Sequence, residues 1–183
     1  MPVNRRHFLG ATGMSVLAGC GPKDTQQPAA ALGPSAEELE QVLAQPVLRT
    51  DGITSPVIID SVRLLKQGKE YFVHIRSTGG AEGISLTNSR VVYLYPMLQQ
   101  LLIPFLIGKD ARDWENILWG LYRRGSNYKL QGLAFWCCQA WLEFAVLDML
   151  GRVAGKPLGE LLGGIVRKEA PYYIASGRRD STP

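Results

Sequence analysis

The chain has 183 residues, of which 46% are hydrophobic and 20% are charged. This balance excludes a disordered or fibrous protein and provides enough apolar material for one sizeable core. The formal net charge is +4, but the basic residues are scattered in short pairs with no aromatic stripe between them, which argues against a nucleic-acid partner. The three cysteines are too few and too poorly spaced for a disulfide framework or a zinc site.

The N-terminus resembles a twin-arginine export signal. Arg5 and Arg6 are followed by Phe8 and Leu9, and then by a weakly apolar run over 10–19. This run is too short and too weakly apolar to cross a membrane. The resemblance implies a bacterial protein that is exported after folding in the cytoplasm.

Cys20 predicts a lipid anchor. The residues Leu17, Ala18 and Gly19 that precede it resemble a lipobox, whose cysteine carries the lipid. The alternative is ordinary cleavage near Ala18, which leaves Cys20 as a free thiol. We expect a signal over 1–20, then a flexible tether over 21–45 with a short helix within it, in a periplasmic or cell-envelope protein.

The folded part begins with a predicted three-stranded meander. Two β-rich runs, 57–65 and 69–77, are separated by a turn in which Gly68 can supply a positive φ. A third short strand is predicted over 84–86. In the second run His74 alternates onto the face that carries Arg76 rather than carboxylates, so it is interpreted as a surface residue and not as a ligand.

Helices are predicted after the strands. The first covers 94–103, with Pro96 in its first turn and Pro104 at its end. The second begins at Asp110 as its N-cap and stops at Gly125.

The third predicted helix covers about 131–153 and is apolar on most of its circumference. One stripe contains Leu133, Cys137, Ala140, Phe144 and Leu147, and a second contains Trp141, Ala145 and Met149. We expect it to lie between two layers. The charged residues inside it argue against a membrane span.

One segment of this helix and the loop after it, residues 138–164, is specific enough to name a family. It resembles the signature helix and exit loop of the mandelate racemase and muconate lactonizing enzyme family, within the enolase superfamily. Ten positions over twenty-one residues follow the family pattern in order, namely Glu143, Ala145, Asp148, Gly151, Arg152, Pro157, Leu158, Leu161, Leu162 and Gly163. Asp148 and Arg152 also form an i,i+4 pair able to bridge on a helix. Most of this signature is interpreted as structural.

The resemblance extends upstream and has departures. The connection over 102–110 and the glycines around the third strand look like those of the family. Trp141 stands where the pattern has a small residue, and Cys138 stands where it has alanine. A glutamate found at the third strand in many members is absent, since this chain has Ile84 and Ser85 after Gly83.

The resemblance implies an α+β fold, an enolase-like N-terminal capping domain over 46–168. It consists of a three-stranded antiparallel meander followed by a helical bundle, and 169–183 holds only the first strand of a (β/α) barrel. Family members use a divalent metal, usually Mg²⁺, to stabilise the enolate that forms when a base removes the proton next to a carboxylate. The base and the metal ligands belong to the barrel. We therefore assign no catalytic or metal residue to this chain.

The capping domain of the family contributes specificity through two loops. Here the first is the tight turn over 66–69, and the second offers Thr87, Asn88 and Ser89 as hydrogen-bonding groups. The end of the expected barrel strand adds Ser176 and Arg178. The resemblance implies a small carboxylate substrate such as a sugar acid, and a homo-oligomer in the full-length form.

Two functions remain open. The first is the N-terminal part of an exported racemase, dehydratase or cycloisomerase, inactive without its C-terminal barrel, so we expect a longer parent protein. The second is a non-catalytic, membrane-anchored binding lipoprotein that keeps the capping fold. A barrel encoded in frame after Pro183 would favour the first function over the second.

Overall fold

The computed structural model describes residues 33–172 in two compact units that divide between Ala44 and Gln45. The first unit contains one described helix, α1 (Ala36–Ala44). Ser35 and Glu38 form a reciprocal capping box at its start, because each backbone N–H donates to the other side chain, at 2.7 and 3.2 Å. This confirms the short helix expected in the tether. Arg5, Arg6 and Cys20 lie outside the described residues.

The second unit is an α+β domain, as expected. Its regular elements follow one another from sheet to helices: β1 (Ile59–Gln67), β2 (Glu70–Ser77), β3 (Glu82–Leu86), α2 (Val91–Met97), a π-helical segment (Leu98–Leu102), α3 (Ile103–Leu106), a 3₁₀ turn (Ala111–Asp113), α4 (Trp114–Arg123), a second 3₁₀ segment (Arg124–Leu130), α5 (Leu133–Ala154) and α6 (Leu158–Leu161).

The three strands form an antiparallel meander in the order β1-β2-β3. Gly68 has φ 59° in the β1–β2 turn, which is the positive φ that the sequence predicted there. Alternation places Val62, Val73 and Ile75 on the buried face. This face packs against α5, and the opposite face of the sheet remains partly exposed.

The helix predicted over 94–103 was wrong at both ends. Helical structure runs from Val91 to Leu106, with Pro96 in its second turn and Pro104 inside it. A proline in a helix interior removes one N–H donor and clashes with the carbonyl four residues before it. The π-helical turn over Leu98–Leu102 lies just before Pro104, and this wider local geometry lets the chain continue rather than stop.

Asp110 caps a helical turn as predicted, although this turn is 3₁₀ and leads into α4. Its carboxylate accepts hydrogen bonds from the backbone N–H of Arg112 and Val57, both at 3.1 Å. The Arg112 side chain, which donates to the same carboxylate, lowers the pKa of Asp110 despite the opposing effect of its burial. The resulting stabilisation is present above the ordinary aspartate pKa and is lost as the pH falls through the lowered value.

The predicted burial of α5 is complete for one stripe and partial for the other, in which Leu147 is buried and Cys137 and Ala140 are half-buried. Trp141, Ala145 and Met149 are buried, whereas Leu133 and Phe144 of the first stripe are 74% and 57% exposed. Among the described helices α5 is long and apolar enough to cross a membrane, but more than half of its most apolar window is buried in the domain. It packs as the core helix of the domain.

Gly83 allows α5 to lie directly on β3. A Cβ atom at this position would collide with the carbonyl oxygen of Ala145 and with the backbone and Cβ of Met149. Two further contacts hold the same elements together: the Ser85 hydroxyl donates to the Trp141 carbonyl at 2.6 Å, and the Ile84 N–H donates to the Asp148 carboxylate at 2.9 Å. The backbones of the strand and the helix are therefore in direct contact.

We expect Gly83→Ala to lower the free energy of unfolding by at least about 2 kcal/mol, because the new methyl group must push α5 away from the sheet. Urea unfolding measures this change. Gly79→Ala is the matched control, since a Cβ there meets only the Ser77 hydroxyl at 3.8 Å and the backbone φ is not positive. Equal stability of the two variants would show that the close approach is not required.

Candidate functional site

The two loops predicted to contribute specificity lie side by side at one end of the sheet. Both the backbone N–H and the hydroxyl of Thr87 donate to the carbonyl of Tyr71, at 2.9 and 3.0 Å. Tyr71 is the second residue of β2, directly after the β1–β2 turn. The Lys66 ammonium at that turn lies 5.3 Å from the centre of the Tyr71 ring. The meander thus fixes both loops with respect to each other.

The three hydrogen-bonding candidates of the second loop have different roles. Thr87 is 6% exposed, and its hydroxyl is engaged with the sheet. The Asn88 side chain accepts from the Arg90 N–H at 2.9 Å and lies 4.0 Å from the Cys137 sulfur, so it links the loop to α5. Ser89 is exposed. Thr87 and Asn88 therefore shape the loop, and Ser89 is the candidate best placed to meet a ligand. Ser176 and Arg178 lie outside the described residues.

Cys137 and Cys138 differ although they are neighbours on α5. Cys138 is fully buried, and its thiol lies 3.8 Å from the Leu94 carbonyl. Burial raises the pKa of Cys138 to about 12, with the neighbouring thiol as a smaller cause. It is therefore a core residue at neutral pH. Cys137 is half-buried beside Asn88, a position that sequence reasoning did not connect with the loop.

His74 has a carboxylate neighbour that the sequence analysis missed. Its Nε2 lies 3.4 Å from Glu82, which also lies 3.8 Å from the Arg76 Nε. Strand pairing brings these residues together, because Arg76 on β2 is opposite Glu82 on β3. The alternation of β2 alone does not reveal this pair. The antiparallel pairing of β2 with β3 is the signal that could have found it.

Asp148 and Arg152 of the signature form the predicted i,i+4 bridge, with an Nε to Oδ2 distance of 3.1 Å. The same Asp148 oxygen accepts from the Ile84 N–H of β3. Asp148 therefore connects α5 to the sheet edge as well as to Arg152. These contacts give it the structural role that the sequence analysis assigned to it.

A shallow cavity of about 300 Å³ lies beyond this bridge, where α5 ends. Its wall contains Leu147 and Leu158, and its charged rim contains Asp148, Arg152 and Lys156. Gly151 permits the chain to double back here, because a Cβ would lie 3.1 Å from the Lys156 carbonyl. The glycines and the proline of the signature therefore let the chain turn sharply after α5 and pack against the end of that helix.

Carboxylates that could hold a metal ion are not clustered among the described residues. Mg²⁺ requires several oxygen ligands around one point. Across 33–172 no group of three or more His, Cys, Asp or Glu side chains converges. Asp148, Glu82 and Asp110 each lie against an arginine of this chain.

We expect Asp148→Ala to lower the free energy of unfolding by about 1–3 kcal/mol, since it leaves the Ile84 N–H without its acceptor. Arg152→Gln should cost less than about 1 kcal/mol, because the bridge is largely exposed. Chemical denaturation of both variants provides the measurement. Equal losses would mean that the salt bridge, rather than the contact with β3, is what Asp148 contributes.

Comparison with known proteins shows which family has this domain. Residues 47–163 match the model of the mandelate racemase / muconate lactonizing enzyme N-terminal domain. A D-mannonate dehydratase of Xanthomonas oryzae pv. oryzicola is 36% identical over 108 residues, which are 58% of this chain and 25% of that protein. A D-galactonate dehydratase family member of Paenibacillus sp. is 36% identical over 84 residues, which are 46% of this chain and 20% of that protein.

The fold is shared with solved structures. A mandelate racemase/muconate lactonizing protein of Paracoccus denitrificans, crystallised with magnesium, aligns with a TM-score of 0.51 at 24% identity, over 61% of this chain and 31% of that one. This likeness concerns the fold alone. The chain spans about a quarter of the length of the two dehydratase relatives that it matches.

Proposed function

Because this chain belongs to the mandelate racemase and muconate lactonizing enzyme family, whose N-terminal domain it carries, we propose that it is the substrate-capping part of an exported enzyme. The enzyme removes the proton next to the carboxylate of a sugar acid. The match of the family model over 47–163 is the observation that carries this proposal. The dehydratase relatives, named for D-mannonate and D-galactonate, support the substrate class.

The role of this domain is to position and enclose the substrate. Its two loops are held together at one end of a rigid meander by the Thr87 to Tyr71 hydrogen bonds. Loops on a rigid scaffold are well suited to binding. The short turn at Gly68 leaves this end open, and Ser89 offers a hydroxyl that can hydrogen-bond a sugar-acid hydroxyl. The proton chemistry and the Mg²⁺ that supports it belong to the C-terminal barrel of the full-length enzyme.

The outward face of α5, defined by Leu133, Trp136, Ala140 and Phe144, is proposed to contact that barrel. Leu133, Trp136 and Phe144 are 74%, 45% and 57% exposed, and large exposed apolar side chains on one helix face are typical of an interface. The exit segment begins at the C-terminal end of the same face, where the Lys156 carbonyl lies over Gly151. The chain that follows therefore leaves α5 at one end of the surface that it is proposed to cover.

We expect the 183-residue chain alone to show no Mg²⁺-dependent exchange of the α-proton in a panel of sugar acids, and to aggregate through α5. Trp136→Lys should reduce this aggregation, as measured by light scattering, because it places a charge on the outward face. In the full-length enzyme the same change should lower activity at least tenfold. Val42→Lys on α1, also an exposed apolar position, is the control expected to change neither property.

Two results would contradict this account. Exchange activity or specific Mg²⁺ binding by the chain alone would place the reaction in this domain. A well-behaved monomer that binds a ligand, together with a stop codon directly after Pro183, would instead favour the non-catalytic binding lipoprotein.

Export is the second part of the proposal and is supported by the sequence of residues 1–20 alone. We expect Arg5→Lys together with Arg6→Lys to keep a reporter, fused after Gln45, in the cytoplasm. Cell fractionation measures its location. A control with Lys23→Arg, beyond the signal, should be exported normally. Export of the double variant at the normal level would remove the twin-arginine interpretation.

A further inference from the structure

The face of the sheet opposite α5 carries an apolar row that the described residues leave uncovered. Strand pairing sets Leu65 opposite Phe72 and Phe72 opposite Leu86, so these side chains cross all three strands on one face. Ile84 lies on the same face, two residues before Leu86 on β3. Leu65, Ile84 and Leu86 are 42%, 44% and 58% exposed, and we call these four residues the outer row. The water-facing side of an antiparallel sheet is normally polar, so the outer row indicates a docking surface.

Opposite charges flank the outer row on its two sides. Glu70 lies two residues before Phe72, on the side of the β1–β2 turn, and Arg63 lies two residues before Leu65, on the other side. The alternation of side chains along a strand places both on the outer face. Both are exposed, and neither has an oppositely charged group within salt-bridge distance among residues 33–172.

Glu70 and Arg63 are too far apart to neutralise each other within one copy. Arg63 is opposite His74, and Glu70 is four residues before His74 on β2. Since a strand rises about 3.4 Å per residue, about 13 Å separates the two positions along the sheet. The other charged residues of this face, Arg76 and Glu82, already contact each other at 3.8 Å. Opposite charges can reach both Glu70 and Arg63 only from a second molecule.

We propose that the outer row is the contact between two copies of this chain, packed sheet to sheet about a two-fold axis that runs across the strands. A two-fold contact presents the same surface from both sides, so that surface must be complementary to itself. About this axis the outer row of one copy lies on the outer row of the other, with the two sheets about 10 Å apart. Glu70 of each copy then faces His74 of the other copy, with Arg63 beside it. A two-fold axis along β2 would instead set Arg76 against Arg76, so the charges favour the axis across the strands.

The edges of the sheet are less suited to hold a second copy than its face. The Ile84 N–H at the free edge of β3 donates to the Asp148 carboxylate. On β1 the Ile59 N–H donates to the Lys109 carbonyl, and the Ile59 carbonyl accepts from the Gly108 N–H. Each edge therefore has backbone groups already engaged, which opposes strand pairing between copies.

The proposed contact is compatible with a barrel on the other side of the domain. The sheet and the body of α5 separate the outer row from the outward face of α5. A second copy and the barrel would thus use different surfaces, and the proposed contact depends neither on export nor on the reaction.

The test measures self-association of the 183-residue chain by sedimentation velocity. The chain carries Cys20→Ser, so that no lipid is attached, and Trp136→Lys, so that the outward face of α5 does not contribute. We expect a monomer–dimer equilibrium in this background. Leu86→Asp should weaken the dimer at least about tenfold, because it buries a carboxylate in the contact.

Charge reversal tests the two-fold arrangement itself. Glu70→Arg and Arg63→Glu should each weaken the dimer about tenfold, since each sets like charges against one another across the contact. The double variant should restore the dimer to within about threefold of the unreversed chain, because opposite charges face each other again. The two positions are about 13 Å apart within one copy, so this rescue can arise only between copies.

Matched controls place the same changes elsewhere on the surface. Arg123→Glu reverses a charge on α4, and Leu133→Asp introduces a carboxylate on the outward face of α5. Neither should alter the dimer. Circular dichroism confirms that each variant is folded.

Three results would overturn the proposal: a chain that stays monomeric, a dimer that Leu86→Asp leaves unchanged, or a double variant that associates as weakly as the single reversals. A monomeric chain, together with a full-length enzyme that loses activity on Leu86→Asp, would assign the outer row to the rest of the enzyme. None of the three concerns α-proton exchange or export of the reporter, so failure here is distinguishable from failure of the proposed function.

Discussion

The backbone contact between β3 and α5 is the constraint on which the rest of the domain depends. Gly83 removes the side chain that would keep strand and helix apart, and Asp148 and Ser85 then bind backbone groups across the contact. A three-stranded sheet has little area with which to hold a helix of 22 residues. Direct contact between the two backbones compensates for this small area, because more atoms of the sheet then lie within van der Waals range of the helix.

The meander, the three helical regions and the signature bridge could be predicted, because each follows from local patterns: alternation, turn glycines and i,i+4 spacing. The errors come from interactions that local patterns do not contain. Pro104 ends a helix by propensity, but a π turn accommodates it. Both stripes of α5 are apolar, and which one lies against the sheet depends on the contacts that Gly83, Ile84 and Ser85 of a neighbouring strand make with the helix. The Glu82 neighbour of His74 depends on strand register.

The candidate site could be located but not completed from the sequence. The resemblance directed attention to the loop at Thr87, and the structure shows that this loop is tied to the β1–β2 turn through Tyr71. It also shows that two of the three polar candidates there are occupied by contacts within the domain. A hydrogen-bonding residue type therefore predicts where polar groups are, whereas the tertiary contacts decide which of them remain available to a ligand.

The two ends of the domain meet, and this arrangement connects its fold to its proposed place in a larger enzyme. The Arg49 N–H donates to the Leu161 carbonyl at 2.7 Å, and the Glu115 carboxylate accepts from the backbone N–H groups of Val47 and Leu48 at 2.7 and 2.9 Å. The entering segment is thus bound to the exit loop and to α4. These hydrogen bonds hold the entering and leaving segments against each other, so the core of the domain stays closed at the point where the chain enters and leaves it. The proposed capping role requires such rigidity, because loops exclude water from a substrate only when their scaffold holds them in a fixed position.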